Sequence, residues 1–277
     1  MIFKDKTVIV TGGSEGVGAA TARRFAESGA NLVLVARNKK RLEALAEQLR
    51  DLARVEIFVM DVADFEACAN LFKKAHYEFG RVDVLVNNAG YHERGPVLNV
   101  DAADLARMID VNLRAPIVLT RMALPYLMEA GGGAVVNVGS LAGKAPIPNS
   151  AVYSASKNGL RAFTLALAEE LRGSGIKLAV VSPGPIDTGF IMSDIDKVSS
   201  ITFSQPISTA DEVAQTILDL CGNHRHEQSI PALSGFLATL MSLMPWLGRI
   251  ARPFLENRGA RVKKRLKMEA RARGGTG

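Results

Sequence analysis

Thr7-Val8-Ile9-Val10-Thr11-Gly12-Gly13-Ser14-Glu15-Gly16-Val17-Gly18 passes from a β-branched apolar run, through a glycine turn, into a helical pattern that continues to Phe25. A short apolar run bounded by glycines reads as a buried strand, and the periodic segment after the turn reads as a helix. Glycines at such a turn let the backbone approach a pyrophosphate closely. The helix N-terminus adds unpaired N–H groups and the positive end of a dipole. The spacing is G-x-x-x-G-x-G, and many tight turns carry similar glycines. The assignment therefore depends on the rest of the chain.

Outward from this turn the pattern repeats. Residues 31–36 (NLVLVA) form a second apolar strand that ends at Ala36-Arg37, and residues 39–52 continue as a helix. An acidic residue at this strand end would hold the ribose 2′-OH of NAD, whereas an arginine accommodates the 2′-phosphate of NADP. Arg37 favours NADP(H) over NAD(H), while Glu15 in the glycine turn counts mildly the other way. Lys40 and Arg41 are expected to be solvated helix charges. Residues 55–60 give a third strand closing at Asp61-Val62, 65–79 a helix, and 82–86 a fourth strand running into Asn87-Asn88-Ala89-Gly90. Strands alternating with helices at this spacing require a parallel sheet with right-handed crossovers, and ligands bind beyond the carboxyl ends of its strands. The turn glycines, Asp61 and Asn88-Ala89-Gly90 all fall at those ends.

Residues 101–130 read as one long helix with Asn112 inside it and a kink at Pro116. Residues 133–138 are a fifth strand ended by Gly139-Ser140, and the helix 151–172 carries Tyr153-Ser154-Ala155-Ser156-Lys157 near its start. A four-residue separation puts Tyr153 and Lys157 on one helix face. A nearby ammonium favours the phenolate and would bring the tyrosine toward useful acid/base strength. Residues 176–181 are a sixth strand stopping at Ser182-Pro183-Gly184-Pro185. Residues 185–206 form a long connection with Ile186, Thr188, Phe190 and Ile191, of the length that usually makes a lid or binding loop. A helix over 211–220 and a short strand at 229–231 complete the repeat.

Thr11-Gly12-x-x-x-Gly16-x-Gly18, Asn87-Asn88-Ala89-Gly90, Ser140, Tyr153-x-x-x-Lys157 and Pro183-Gly184, in that order, resemble the short-chain dehydrogenase/reductase family over about residues 4–231. The resemblance implies a single Rossmann-like, doubly wound α/β domain that moves hydride between a nicotinamide cofactor and a carbonyl or alcohol. It implies that Tyr153 is the general acid in reduction and the base in oxidation. Lys157 would hold the nicotinamide ribose and lower the tyrosine pKa, Ser140 would bond the substrate oxygen, and Asn112 would position a water for proton supply. Gly12, Ser14, Glu15, Gly16, Val17, Gly18, Arg37, Asp61, Val62, Asn88, Ala89, Gly90, Pro183, Gly184, Ile186 and Thr188 would line the cofactor site with Tyr153 and Lys157. Within the family the chain is similar to lipid-acting members such as 3-ketodihydrosphingosine reductase, through its TGGS turn, Arg37 and an apolar C-terminal extension. Polyketide, steroid and sugar reductases share the same core. A lipophilic ketone or aldehyde is the expected substrate. The alternatives are an NAD-dependent sugar or polyol dehydrogenase and a catalytically idle nucleotide-binding scaffold.

The chain has 277 residues and is 48% apolar, which suits one large core over residues 1–231 followed by an extension over 232–277. Cys68 and Cys221 are too few and too far apart for a disulfide framework or zinc site, and read as buried thiols. His92, His224 and His226 lack partners at ligand spacing and read as surface residues; no metal is expected. Residues 1–6 contain no apolar run of signal-peptide length, so a cytoplasmic location is expected. The formal charge of +6 is concentrated in the tail: residues 249–277 carry +8 and the first 248 residues −2. The body therefore shows no basic stripe suited to nucleic acid. Residues 230–248 contain no charge, and their uninterrupted core of 232–244 is shorter than the ~20 residues needed to span a bilayer. The extension is expected to serve as a lid, a subunit contact in a homodimer or homotetramer, or a contact with an anionic membrane. In the last case Trp246 and the cations after it would meet the lipid head groups.

Overall fold

The structure is a computed structural model that describes residues 3–192 and 195–274. Seven parallel strands form one sheet in the order β3-β2-β1-β4-β5-β6-β7. They are β1 Thr7–Thr11, β2 Asn31–Ala36, β3 Val55–Val59, β4 Val84–Asn87, β5 Gly133–Val138, β6 Ile176–Pro183 and β7 Glu227–Ile230. Every residue of β1 is buried, as expected for a parallel strand covered by helices on both faces. Helices α1 (Gly16–Glu27), α2 (Lys39–Leu49) and α8 (Ala210–Gly222) cover one face; α3 (Phe65–Phe79), α5 (Ala115–Glu129) and α6 (Ala151–Glu170) cover the other. Strand order reverses between β1 and β4, which pair Val8 with Val84 and Val10 with Val86. The crevice at that reversal is where such a sheet binds ligands.

Some element ends differ from the pattern in the sequence. β4 starts at Val84 because the Asp83 carboxylate, buried at the strand entrance, accepts from the Thr7 N–H at 2.9 Å and pairs with Lys6 at 3.0 Å. The long helix over 101–130 is interrupted. α4 (Ala102–Ile109) passes into a π-helical turn, Asp110–Arg114, before α5 begins. The Ala115 N–H reaches back five residues to the Asp110 carbonyl. Pro116 has no N–H to return to the carbonyl four residues earlier, that of Asn112. The distortion expected at Pro116 thus lies one turn upstream and is centred on Asn112.

The connection after β6 holds α7 (Gly189–Met192) and a 3-10 turn, Ser200–Ser204. Beyond β7 lie α9 (Ala232–Leu243) and α10 (Pro245–Gly274). α9 packs with small residues inward. Gly235 and Ala238 are buried, and a Cβ on Gly235 would stand 2.1 Å from the Ser229 Cβ of β7. Its large residues point outward, with Leu233 69%, Phe236 65% and Leu243 77% exposed. Among the described residues no helix is long and apolar enough to cross a membrane.

Candidate active site

The glycine turn is closed from beneath by Thr11 and Asn88. Thr11 Oγ1 accepts from the N–H groups of Asn88 at 3.0 Å and Ala89 at 3.1 Å. The Asn88 amide donates to the carbonyls of Thr11 at 3.0 Å and Gly12 at 3.1 Å. These bonds lock the end of β1 to the end of β4. Gly12 has φ +63°, and a Cβ there would sit 2.8 Å from Asn88 Nδ2. A Cβ on Gly18 would lie 2.1 Å from the Gly12 carbonyl oxygen. Side chains are excluded where a pyrophosphate would meet backbone N–H groups, so these residues fit a dinucleotide.

At the next strand ends, charges are already paired. Asp61 accepts from the Ala63 N–H at 2.9 Å and forms an ion pair with Arg107. Glu15 is paired with Arg41, which is exposed on α2 as expected of a solvated helix charge. Arg37 is exposed and forms no ion pair among the described residues.

The residues expected to react come from the end of β5 and from α6. Asn87 Nδ2 donates to Asn137 Oδ1 at 2.8 Å, and Asn137 Nδ2 donates to Thr164 Oγ1 at 2.8 Å. This buried chain of side chains joins β4, β5 and α6 and sets where α6 lies along the sheet. Lys157 and Tyr153 are then both buried. The Lys157 ammonium donates to the Val138 carbonyl at 2.8 Å and stands 6.0 Å from the Tyr153 ring centre. Burial pushes its pKa down to about 8. Ser140 Oγ accepts from the Ala142 N–H at 3.1 Å, and its hydroxyl is close enough to Tyr153 to favour the phenolate.

The Tyr153 pKa is raised, opposite to the expected effect of Lys157. Burial is the largest cause, with Ser140 and Arg94 pulling the other way. Removing a phenol from water disfavours its anion more than these neighbours restore it. At neutral pH the residue is therefore a phenol, the form that donates a proton.

Asn112 is fully buried behind Gly90. Its Oδ1 accepts from the Tyr91 N–H at 3.0 Å, and its Nδ2 donates to the Tyr91 carbonyl at 2.8 Å and to Ser156 Oγ at 3.4 Å. A Cβ on Gly90 would be 2.9 Å from Asn112 Oδ1 and 3.4 Å from Lys157 Nζ. The π turn thus delivers a polar side chain to the lysine's neighbourhood, and only glycine fits between them.

All these strand ends open into one cleft of about 1380 Å³. Every residue expected to bind cofactor or react lines it except Gly18, which lies under the turn, and Asn112, which lies behind Gly90. Two lining residues carry no signal in the sequence. His92 is not a surface histidine: its ring stacks on Tyr153 with centres 4.0 Å apart and planes 12° apart. Its Nε2 is buried without a hydrogen-bond partner among the described residues. Burial, with Arg94 and Lys157 nearby, pushes its pKa down to about 3, so the ring is neutral. Arg94 donates to the Phe190 carbonyl at 2.9 Å and lies 5.3 Å from the Phe190 ring centre, bridging the loop after β4 to the loop after β6. His224 and His226 are exposed, as expected. Cys68 is buried and Cys221 partly so. Among the described residues no group of three or more His, Cys, Asp or Glu is placed to hold a metal ion.

The short chain dehydrogenase family model matches residues 6–198. Sulfoacetaldehyde reductase 2 of Chromohalobacter salexigens is 42% identical over 187 residues, 67% of this chain and 74% of that protein. Dehydrogenase/reductase SDR family member 7B of Xenopus laevis is 34% identical over 273 residues, 94% of this chain and 83% of its own. That match extends into the C-terminal extension. Ketoacyl reductase HetN of a Nostoc species is 34% identical over 248 residues, covering 89% of this chain and 85% of that one. Among solved structures, levodione reductase superposes with a TM-score of 0.73 at 30% identity, covering 79% of this chain and 91% of the other. The chain is a member of the short-chain dehydrogenase family, an oxidoreductase that acts on alcohol or carbonyl groups with a nicotinamide cofactor.

Proposed function

We propose that this enzyme reduces the carbonyl of a lipophilic ketone or aldehyde and uses NADPH to do so. The observation that carries it is that Tyr153 and Ser140 lie together at the foot of a cleft with apolar walls, with Tyr153 buried so that its phenol form is favoured. The cofactor, when bound, supplies the hydride. Negative charge then grows on the substrate oxygen, where two hydroxyl donors, Ser140 and Tyr153, stabilise it, and Tyr153 completes the alcohol by giving up its proton. Lys157 as the ammonium favours the phenolate left behind. Asn112, just across Gly90 from Lys157, is suited to hold a water that returns the proton. The preference for NADPH is supported by Arg37, which has no competing carboxylate among the described residues, and by Arg41, which neutralises Glu15.

The substrate reading is supported by Leu141, Ile147, Phe190, Ile191 and Val198 on the cleft wall. The reductase names of two relatives, for a ketoacyl group and for levodione, agree with a ketone substrate. Sulfoacetaldehyde, named for a third, is a small anion. Arg94, the guanidinium that bears on Tyr153, is turned to Phe190 instead. We also take the working form to be a homodimer or homotetramer in the cytoplasm, peripheral on an anionic membrane. The support for membrane contact is the outward apolar face of α9, continued by Trp246, Ile250 and Phe254, beside exposed Arg249, Arg252, Arg258, Arg261 and Lys264. NADPH oxidation should be followed with 2-alkanones of increasing chain length and with sulfoacetaldehyde. The reading requires kcat/KM to rise with chain length. Preference for sulfoacetaldehyde, or no dependence on length, would overturn it.

A further inference from the structure

The loop after β6 supplies the outer wall of the cleft through Phe190, Ile191, Val198, Ser199 and Thr202. That segment is long and has little regular structure, so its backbone groups and apolar side chains need partners elsewhere. α10 provides them. Lys263 Nζ donates to the carbonyls of Asp196 at 2.9 Å and Val198 at 2.6 Å. Lys267, one turn on, is ion-paired with Asp196. Val262 and Leu266 pack against the cluster of Ile191, Val198 and Phe203. Gly259 is buried where the helix crosses the 3-10 turn, and a Cβ there would be 1.8 Å from the Ser200 carbonyl oxygen. The loop-facing residues Gly259, Val262, Lys263, Leu266 and Lys267 recur at helical spacing.

We infer that α10 is a strap that fixes the substrate wall of the cleft, with Lys263 as a positioning residue and Gly259 as the point of closest approach. Two of the tail's cations thus satisfy backbone and side-chain groups of the substrate loop, separately from whatever the opposite face of the helix meets. The strap touches none of Ser140, Tyr153 or Lys157. Its loss therefore acts on how the carbonyl compound is held and not on the proton transfer.

The test uses the full chain carrying Lys263→Met, which keeps the stem and removes the ammonium. Lys263→Arg keeps donors of the same charge, and Gly259→Ala intrudes at the crossing. With 2-decanone as probe, Lys263→Met should raise KM about tenfold, the equivalent of one charge-assisted bond of ~1.4 kcal/mol, with kcat within about twofold. NADPH affinity should be unchanged, and Lys263→Arg should recover part of the KM. Amide hydrogen exchange over 195–204, read without any ketone, should quicken in Lys263→Met. Gly259→Ala should behave alike; should it not fold, the lysine variants still decide. Unchanged KM together with unchanged exchange over 195–204 in Lys263→Met would overturn the strap. If the unaltered enzyme oxidises no NADPH with 2-decanone, the lipophilic-ketone reading fails, and the exchange measurement still decides the strap.

Discussion

α6 and α9 invert the usual burial rule in opposite directions. α6 buries Tyr153, Ser154, Ser156, Lys157 and Thr164, and α9 leaves Leu233, Phe236, Leu237 and Leu243 exposed while Gly235 and Ala238 face the protein. Both arrangements are unfavourable on their own, since burying an ammonium costs desolvation and exposing apolar surface forgoes the hydrophobic effect. α6 compensates within the chain, through the Val138 carbonyl, the bond of Ser156 to the Tyr153 carbonyl and the chain of Asn87, Asn137 and Thr164. α9 has no comparable compensation among the described residues. The difference separates a region whose polar groups find partners inside the chain from one whose apolar groups the chain leaves uncovered.

The largest effect is expected from Tyr153→Phe. It should lower turnover by at least ~10²-fold, the usual loss for a missing general acid, while NADPH binding by fluorescence and vesicle binding both persist. Near-normal turnover would remove Tyr153 from the chemistry. Arg37→Asp should act on the cofactor alone. Losing a charge-assisted contact to the 2′-phosphate and adding repulsion should reverse the NADPH over NADH preference by about ten- to a hundredfold. Equal use of both cofactors by the unaltered enzyme would count against Arg37.

The converse substitution is in the extension. Replacing Trp246, Ile250 and Phe254 together by alanine should weaken sedimentation with phosphatidylglycerol-containing vesicles by at least about tenfold, given ~1.5–3 kcal/mol per fully buried large side chain. Thermal stability and kcat should stay close to those of the unaltered chain. Salt should weaken binding of the unaltered protein, and binding only to itself, seen as a change of oligomer size, would make the face a subunit contact.

Acidity sharpens the α6 side. Burial disfavours the charged lysine, so the Lys157 pKa moves down from its ordinary value, and the ammonium is lost as pH rises through about 8. Tyr153 shifts upward and remains a phenol there. kcat/KM should therefore fall on the alkaline side near pH 8, whereas a flat profile to pH 10 would show that the ammonium is not needed. The smallest effect is expected at His92. His92→Ala removes the stack on Tyr153 and should lower kcat by a few-fold, in keeping with the ~0.5–1.5 kcal/mol of such ring pairs. His92→Phe should keep most of it. A loss as large in Phe as in Ala would mean that the imidazole nitrogens, and not the stack, matter.

The features legible in the sequence are those in which local spacing and chemistry coincide. The glycine turn, the alternation of strands and helices, Asn88-Ala89-Gly90 and the Tyr153/Lys157 pair are each contained within a few residues, and the parallel sheet brings them together. Features that depend on contacts between distant segments were not legible. His92 has no partner at fixed spacing, because its neighbour Tyr153 lies 61 residues on. The pairing of Glu15 with Arg41 joins the glycine turn to α2, and the bonds of Lys263 reach back to carbonyls 67 and 65 residues earlier. The raised Tyr153 pKa depends on burial, which a helical wheel shows only in part. Pro116 correctly marked a distorted helix, but the distortion sits where its missing N–H leaves a carbonyl free, one turn before it.

The π turn over Asp110–Arg114 also constrains the length of this segment. Such a turn accommodates one residue more than the α-helix around it, so deleting any single residue there would restore regular hydrogen bonding. The local backbone would improve and the helix beyond would keep its face, because the wider turn absorbs the extra residue and does not pass it on. Ala115, Leu119, Ala123 and Leu127 would stay buried against the sheet, but the residues of the turn would be displaced and Asn112 would leave Tyr91. Chain length at this point is as binding as residue identity. Substitutions at the exposed positions of 110–114 should be tolerated, while a one-residue deletion should not.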